Sequence, residues 1–115
     1  MSLEPQLVSP PYPLGRFAPS PTGDLHMGSL MAAVASFLAA KVAGGRWLLR
    51  IEDVDRPRQV PGAAERIIAD LARFGFEWDG PIVRQSARGE RYQQVLDALI
   101  EQGLVYPCSC SRREV

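Results

Sequence analysis

The sequence predicts an α/β fold, a partial Rossmann-like nucleotide-binding domain built on a parallel sheet. The first observation is a strand, a helix and a second strand in that order, at residues 14–18, 29–43 and 47–51, which is typical of a parallel crossover unit. The second is a turn-forming loop between the first strand and the helix, where α/β folds bind ligands. The length of 115 residues suits one compact domain. These elements make only about half of a doubly wound sheet.

The N-terminal part of the chain changes character at Leu14. Residues 1–13 contain four prolines and little periodicity, which predicts an irregular arm. Residues 14–18 favour a short buried strand. Residues 19–23, Pro-Ser-Pro-Thr-Gly, predict a turn because two prolines restrict the backbone and the glycine permits positive φ.

The helical segments differ in their apolar patterns. Residues 29–43 are apolar almost all round, which predicts a helix packed on both sides that ends at Gly44-Gly45. Residues 61–75 and 90–102 repeat apolar side chains at helical spacing and predict two amphipathic helices. Between these helices, residues 81–85 favour a short strand.

Composition and charge narrow the classes of function. Thirteen basic and thirteen acidic residues cancel, so nucleic acid would need a local basic patch. The most apolar run, residues 30–43, is shorter than the roughly 18 residues of a membrane span, and the N-terminus does not resemble a secretory signal. Cys108 and Cys110 are too close for an unstrained disulfide, which favours free thiols or metal ligands. We therefore expect a cytoplasmic protein without membrane contact.

The segment of residues 19–29 carries the predicted chemistry. His26, the only histidine, lies two residues before Gly28 at the predicted helix start. An imidazole there can donate a hydrogen bond to a phosphate, and Gly28 lets a base or ribose approach the backbone. Ser29 can cap the helix and leave N–H groups facing the phosphates. His-x-Gly alone favours an ordinary turn, whereas the preceding loop and strand favour a nucleotide site.

Arg16 and Glu52 lie at the ends of adjacent predicted strands and suit a zwitterionic amino acid. The cation can bind its carboxylate, and the carboxylate can bind its ammonium group. A structural ion pair between these two side chains is an equally good interpretation of the pattern. Asp53 is expected to tether its loop, and Asp55 to lie near the next helix start, rather than to bind Mg²⁺.

Aromatic and arginine side chains elsewhere have more than one interpretation. Strand and helix-face positions favour core packing over base stacking for Trp47, Phe74, Phe76 and Trp78. For the arginines at positions 84, 88 and 91, a solvated face and contact with RNA phosphates stay open.

Three motifs in order give the chain a family resemblance. They are residues 16–23 (Arg-Phe-Ala-Pro-Ser-Pro-Thr-Gly), 25–28 (Leu-His-Met-Gly) and 50–53 (Arg-Ile-Glu-Asp). Together they resemble the front of the class I glutamyl-tRNA synthetase catalytic domain. Ser29 stands in place of the final histidine of the HIGH motif of that class.

Within this family, the details are similar to the glutamyl-queuosine tRNA(Asp) synthetases, paralogues without the anticodon-binding domain. Arg56 departs from the pattern, because these paralogues often have a second proline there. The segments that carry the likeness are residues 28–29, 54–58, 60–65, 78–80, 85–88 and 106–112.

The resemblance implies ATP- and Mg²⁺-dependent activation of L-glutamate to glutamyl-adenylate, followed by transfer to the queuosine base of tRNA(Asp). His26 and Gly28 would be catalytic, and the intact enzyme would be a monomer. Residues 14–107 would form the front half of the catalytic domain, and 108–115 the truncated start of an insertion where Cys108 and Cys110 help to bind Zn²⁺. The implied ATP-binding residues are Pro19, Ser20, Gly23, His26, Gly28 and Ser29. The implied glutamate-binding residues are Arg16, Phe17, Ala18, Pro19, Ser20 and Glu52.

Two alternative functions stay open. An ordinary glutamyl-tRNA synthetase would charge the 3′ end of the tRNA. A non-catalytic remnant would bind nucleotide or a partner, and this alternative rests on length alone. Because 115 residues hold neither the second half of the sheet nor the lysine-bearing loop of class I enzymes, we expect the chain alone to bind ligands without turnover.

Overall fold

The computed structural model describes residues 11–114, so most of the predicted N-terminal arm lies outside the described residues. Three parallel strands form one sheet, in the order β1 (Leu14–Phe17), β2 (Arg46–Ile51) and β3 (Val83–Arg84). The helices are α1 (Met27–Val42), α2 (Ala63–Arg73) and α3 (Gly89–Glu101), and short 3₁₀ turns cover Arg56–Arg58 and Gln85–Arg88. The predicted α/β class with a parallel sheet is confirmed.

The alternation of side chains along β2 gives the sheet two different faces. Trp47, Leu49 and Ile51 are buried, whereas the residues between them are partly accessible. Phe17 of β1 lies opposite Leu49 in the parallel register and is buried on the same face. Because successive side chains in a strand point to opposite faces, Arg50 lies on the accessible face.

Aromatic rings fill the core between this sheet and helices α1 and α2. The fully buried Trp47 stacks on Phe17 and Phe76, with ring centroids 6.2 and 5.5 Å apart, and Phe37 meets its ring edge-on at 5.3 Å. The indole Nε1–H donates to Ser36 Oγ at 2.9 Å, which satisfies its only polar atom. The core interpretation is therefore confirmed for Trp47 and Phe76.

Helix α2 is bounded by glycines whose backbones favour a change of direction. Gly62, before the first helical residue, has φ 74°, and Gly75, just after the helix, has φ 85°, both in the left-handed region. Ile67 and Leu71 are buried, as the amphipathic pattern predicts. Phe74, the C-cap residue of α2, is 64% exposed, so its predicted core position is wrong.

The predicted packing of α1 on both sides is also wrong. Ala33 and Ala40 of α1 are buried, but Met31 and Val42 are 65% and 87% exposed, so α1 is packed on one side only. No residue of α3 is buried, although its apolar side chains repeat at helical spacing. The reason is the same in both cases, because the described residues supply no second layer over these faces. No described helix is long and apolar enough to cross a membrane.

Candidate functional site

The ends of the three strands are tied together at one edge of the sheet. The Glu52 N–H, just after β2, donates to the Pro19 carbonyl, just after β1, at 3.0 Å. The Asp53 carboxylate accepts hydrogen bonds from the backbone N–H and the hydroxyl of Ser86, at 2.8 and 2.7 Å. Since Ser86 follows β3, Asp53 joins the second strand end to the third. Its predicted role as a tether is confirmed.

The Asp53 carboxylate is held in its ionised form. Burial works to raise the pKa of Asp53, but the hydrogen bonds from Ser86 and the charge of Arg84 outweigh it and hold the pKa below its usual value. Both carboxylate oxygens are engaged by Ser86. This geometry supports the interpretation of Asp53 as a loop tether rather than a magnesium ligand.

An open cavity of about 550 Å³ lies between the loop after β1, the start of α1 and helix α2. This volume is in the range of small-molecule sites. No acidic residue occupies the first turn of α1, so the positive end of the helix dipole there is not neutralised locally. All six predicted ATP-binding residues line this cavity: Pro19, Ser20, Gly23, His26, Gly28 and Ser29.

His26 is the N-cap of α1, so the predicted capping role of Ser29 is wrong. The backbone of His26 is extended (φ −110°, ψ 171°), and its Nδ1 accepts the backbone N–H of Ser29 at 3.3 Å. Its Nε2 lies 3.0 Å from Ser29 Oγ. Because Nδ1 accepts, the proton of the neutral ring is on Nε2. That N–H faces Ser29 Oγ, which accepts from it.

Gly28 has a steric role that the sequence analysis did not identify. A Cβ at this position would lie 3.2 Å from both Cε1 and Nδ1 of His26, tighter than an ordinary van der Waals contact. The glycine therefore leaves room for the imidazole as well as for a ligand. No local pattern could reveal this contact, because it depends on the rotamer of the histidine.

The predicted glutamate-binding residues are divided between two places. Arg16 lies opposite Leu48 in the strand register and, like Ala18 and Glu52, does not line the cavity. The members of the set that line it are Phe17, Pro19 and Ser20. The structure therefore brings the ATP set together but leaves Arg16, Ala18 and Glu52 outside the cavity.

Glu52 belongs to a chain of side chains that the sequence analysis missed. Its Oε1 accepts from Arg50 Nε at 2.5 Å, and Arg50 Nη2 donates to Tyr92 Oη at 2.7 Å. Burial works to lower the pKa of Arg50, but these two hydrogen bonds outweigh it and raise the pKa above its usual value. The predicted alternative of an Arg16–Glu52 ion pair is not the one observed. Positions 50 and 52 share a strand face, whereas nothing local indicated Tyr92.

Cys108 and Cys110 are exposed thiols in the segment after α3. Hydrogen bonds from the backbone and side chain of Cys110 lower the pKa of Cys108, which favours the thiolate form that metals bind. Within residues 11–114, no group of three or more His, Cys, Asp or Glu side chains is arranged to hold a metal ion. Two sulfur donors fit half of a tetrahedral zinc site, so zinc stays a prediction.

The choice between a solvated face and RNA contact is made for only one of the arginines at positions 84, 88 and 91. Arg84 Nη2 lies 3.0 Å from Glu65 Oε1, and this solvated ion pair accounts for its position. Arg88 and Arg91 are exposed, and their contact with RNA stays a prediction.

A parallel sheet with a helix N-terminus beside a cavity at its strand ends is typical of nucleotide-binding α/β domains. Residues 14–115 match the family of class I tRNA synthetases (E and Q), catalytic domain, and the chain belongs to this family. The family resemblance predicted from the three motifs is confirmed.

Curated relatives carry a more particular name, glutamyl-Q tRNA(Asp) synthetase. The protein of Dechloromonas aromatica is 59% identical over 108 residues, which are 94% of this chain and 36% of the relative. That of Aromatoleum aromaticum is 61% identical over 108 residues, 94% of this chain and 34% of the relative. A crystal structure of glutamate-tRNA synthetase from Elizabethkingia anophelis is similar at TM-score 0.73 and 40% identity, covering 78% of this chain and 20% of that one. The chain spans about a third of the length of these curated relatives.

Proposed function

We propose that a polypeptide of the relatives' full length that contains this chain activates L-glutamate with ATP and transfers it to the queuosine base of tRNA(Asp). The observation that carries the proposal is the cavity at the strand ends, which gathers all six expected ATP-binding residues. The acceptor is inferred from relatives at 59% and 61% identity that are named glutamyl-Q tRNA(Asp) synthetase.

The first step is adenylate formation at the start of α1. A carboxylate oxygen of glutamate attacks the α-phosphorus of ATP, and the bond from that phosphorus to pyrophosphate breaks. The Nε2–H of His26 and the free N–H groups of the first helical turn donate to phosphate oxygens as charge builds up. Mg²⁺ enters with ATP and neutralises part of the phosphate charge. Catalysis rests on positioning and electrostatics, without a covalent enzyme intermediate.

Glutamate is oriented by charges on the accessible face of the sheet. Glu52 has a second carboxylate oxygen that no described residue bonds, and this oxygen receives the ammonium group. Arg16, which has no ion-pair partner among residues 11–114, receives a carboxylate. The neighbouring segment of residues 17–20 supplies the walls between amino acid and nucleotide.

The two cysteines have a structural role in the proposal. Cys108 and Cys110 supply two thiolates to a zinc ion whose other ligands lie elsewhere in the full-length protein, and such ions order short segments.

We place the enzyme in the cytoplasm as a monomer, where ATP and tRNA are available.

Glutamate-dependent exchange of pyrophosphate into ATP tests the activation step, using the longest form of the protein that contains this chain. Exchange without tRNA supports the proposal, whereas exchange only with tRNA favours an ordinary glutamyl-tRNA synthetase. No exchange under either condition favours a nucleotide-binding remnant.

Transfer of labelled glutamate tests the acceptor. We expect label on queuosine-containing tRNA(Asp) even after its 3′-terminal adenosine is removed, and none on tRNA(Asp) without queuosine. Loss of labelling with the adenosine would place the glutamate on the 3′ end and refute the proposed acceptor.

A further inference from the structure

We infer that Arg50 and Tyr92 are positioning residues for Glu52, which they hold with one carboxylate oxygen open to the ammonium group of the amino-acid substrate. The inference rests on the proposed function, because it takes Glu52 as the ammonium ligand. It adds two residues, one of them on α3, to the groups that determine amino-acid binding.

The Glu52 carboxylate is bonded at one of its two oxygens. Arg50 Nε binds Oε1 of Glu52 at 2.5 Å, and no described residue bonds Oε2. The two side chains are each 23% exposed, so the pair is shielded from bulk water but accessible to a small ligand. A carboxylate fixed at one oxygen and open at the other is prepared for a single cationic donor.

Arg50 is itself held by two partners. Its guanidinium presents donors in a rigid fork, and the fork is occupied on one side by Glu52 and on the other by the Tyr92 hydroxyl at 2.7 Å. No residue of α3 is buried, and Tyr92 is 39% exposed. The contact between Tyr92 and Arg50 is therefore not a by-product of core packing.

The charge of the substrate gives Arg50 a further role. Near neutral pH, glutamate carries two carboxylates and one ammonium group, so a lone acidic side chain would repel the molecule as a whole. Arg50 neutralises Glu52, and the pair then offers a local acceptor without a net negative charge. This reasoning explains why an arginine lies beside a carboxylate that has to bind an anionic amino acid.

The test uses Tyr92→Phe and Arg50→Lys in the longest form of the protein that contains this chain. Tyr12→Phe is the matched control, because the Tyr12 hydroxyl also accepts from an arginine, Arg46 Nη1 at 3.0 Å, at the opposite end of β2. The measurements are the KM for glutamate and for ATP in pyrophosphate exchange, the inhibition constant of glutarate, and Tm. Glutarate is the five-carbon diacid that lacks the ammonium group.

We expect Tyr92→Phe to raise the KM for glutamate about tenfold or more, the effect of losing one hydrogen bond at a charged group. Arg50→Lys should raise it further, because lysine cannot bond both partners in the same geometry. The inhibition constant of glutarate and the KM for ATP should stay within about twofold of the wild-type values. Tm should change by no more than a few degrees. Tyr12→Phe should change none of these four quantities.

The outcomes separate the inference from the function on which it rests. Wild-type exchange with equal weakening of glutamate and glutarate in the variants would overturn the inference alone, as would no change in either. A lower Tm together with a higher KM for both glutamate and ATP would overturn it too, because it would show that Arg50 and Tyr92 only stabilise the fold. Absence of glutamate-dependent exchange in the wild type would refute the proposed function and the inference together.

Discussion

Replacing Gly28 with alanine tests whether this glycine determines the position of His26. The new Cβ would lie 3.2 Å from Cε1 and Nδ1 of the ring, so the imidazole has to move by a few tenths of an ångström or rotate. Rotation breaks one or both of its bonds to Ser29, at 3.3 and 3.0 Å. The Nε2–H would then no longer point where a phosphate is expected.

The expected magnitudes differ for stability and for nucleotide binding. Alanine stabilises a helix interior by about 1 kcal/mol relative to glycine, and the first turn by less. A displaced rotamer costs about 0.5–1.5 kcal/mol. These terms oppose each other, so the free energy of unfolding should change by less than about 1 kcal/mol. Losing one hydrogen bond to a charged phosphate costs about 1.5–3 kcal/mol, which weakens ATP binding roughly 10- to 150-fold.

Denaturant unfolding and calorimetric titration with ATP measure these two effects on the longest form of the protein. Gly89→Ala is the control, because Gly89 is the first residue of α3 and a Cβ there meets nothing within 4 Å. If Gly28→Ala binds ATP within twofold of the wild type while His26→Ala does not, the steric argument is refuted. If neither variant weakens binding, His26 does not contact the phosphates.

Three further predictions follow from the contacts described above. Ser86→Ala removes the hydroxyl bond to Asp53 and keeps the backbone N–H bond, so the pKa of Asp53 should rise part of the way to its usual value, as a carboxyl-carbon NMR titration would show. The lowered pKa of Asp53 stabilises the folded state at pH values above the unfolded pKa of about 3.9, and this contribution is lost as the pH falls. Because the variant has a smaller contribution to lose, its free energy of unfolding should fall less on acidification. An unchanged acid profile would contradict this. Trp47→Phe should lower the free energy of unfolding by about 1–2 kcal/mol through the lost indole hydrogen bond and ring volume, and urea unfolding with no measurable change would be the contrary result. Cys108→Ser and Cys110→Ser should each reduce the zinc content of the full-length protein, measured by elemental analysis, and undiminished zinc in both would exclude them as ligands.

Features with a local cause were predictable from the sequence. The segment of residues 47–51 predicted a strand, and the loop of prolines before His26 predicted the turn that forms the cavity wall. It was predictable that the six expected ATP-binding residues share one cavity, because they lie within 11 consecutive residues, 19–29, at one junction between strand and helix. Helix α1 begins at Met27 rather than at the predicted Ser29, because the His26 ring caps it by accepting the Ser29 N–H.

The sequence by itself therefore determined the fold class, the order of the strands and helices, and the junction where nucleotide chemistry is expected. Only the tertiary structure decided that Arg50, rather than Arg16, pairs with Glu52. It also brought Tyr92, 42 residues after Arg50, into hydrogen-bond contact with Arg50. It also decided which apolar stripes are covered, and left one side of α1 open within the described residues. The physical reason is that periodicity records which face of a segment is apolar or charged, whereas the partner of that face depends on how separate segments dock in three dimensions.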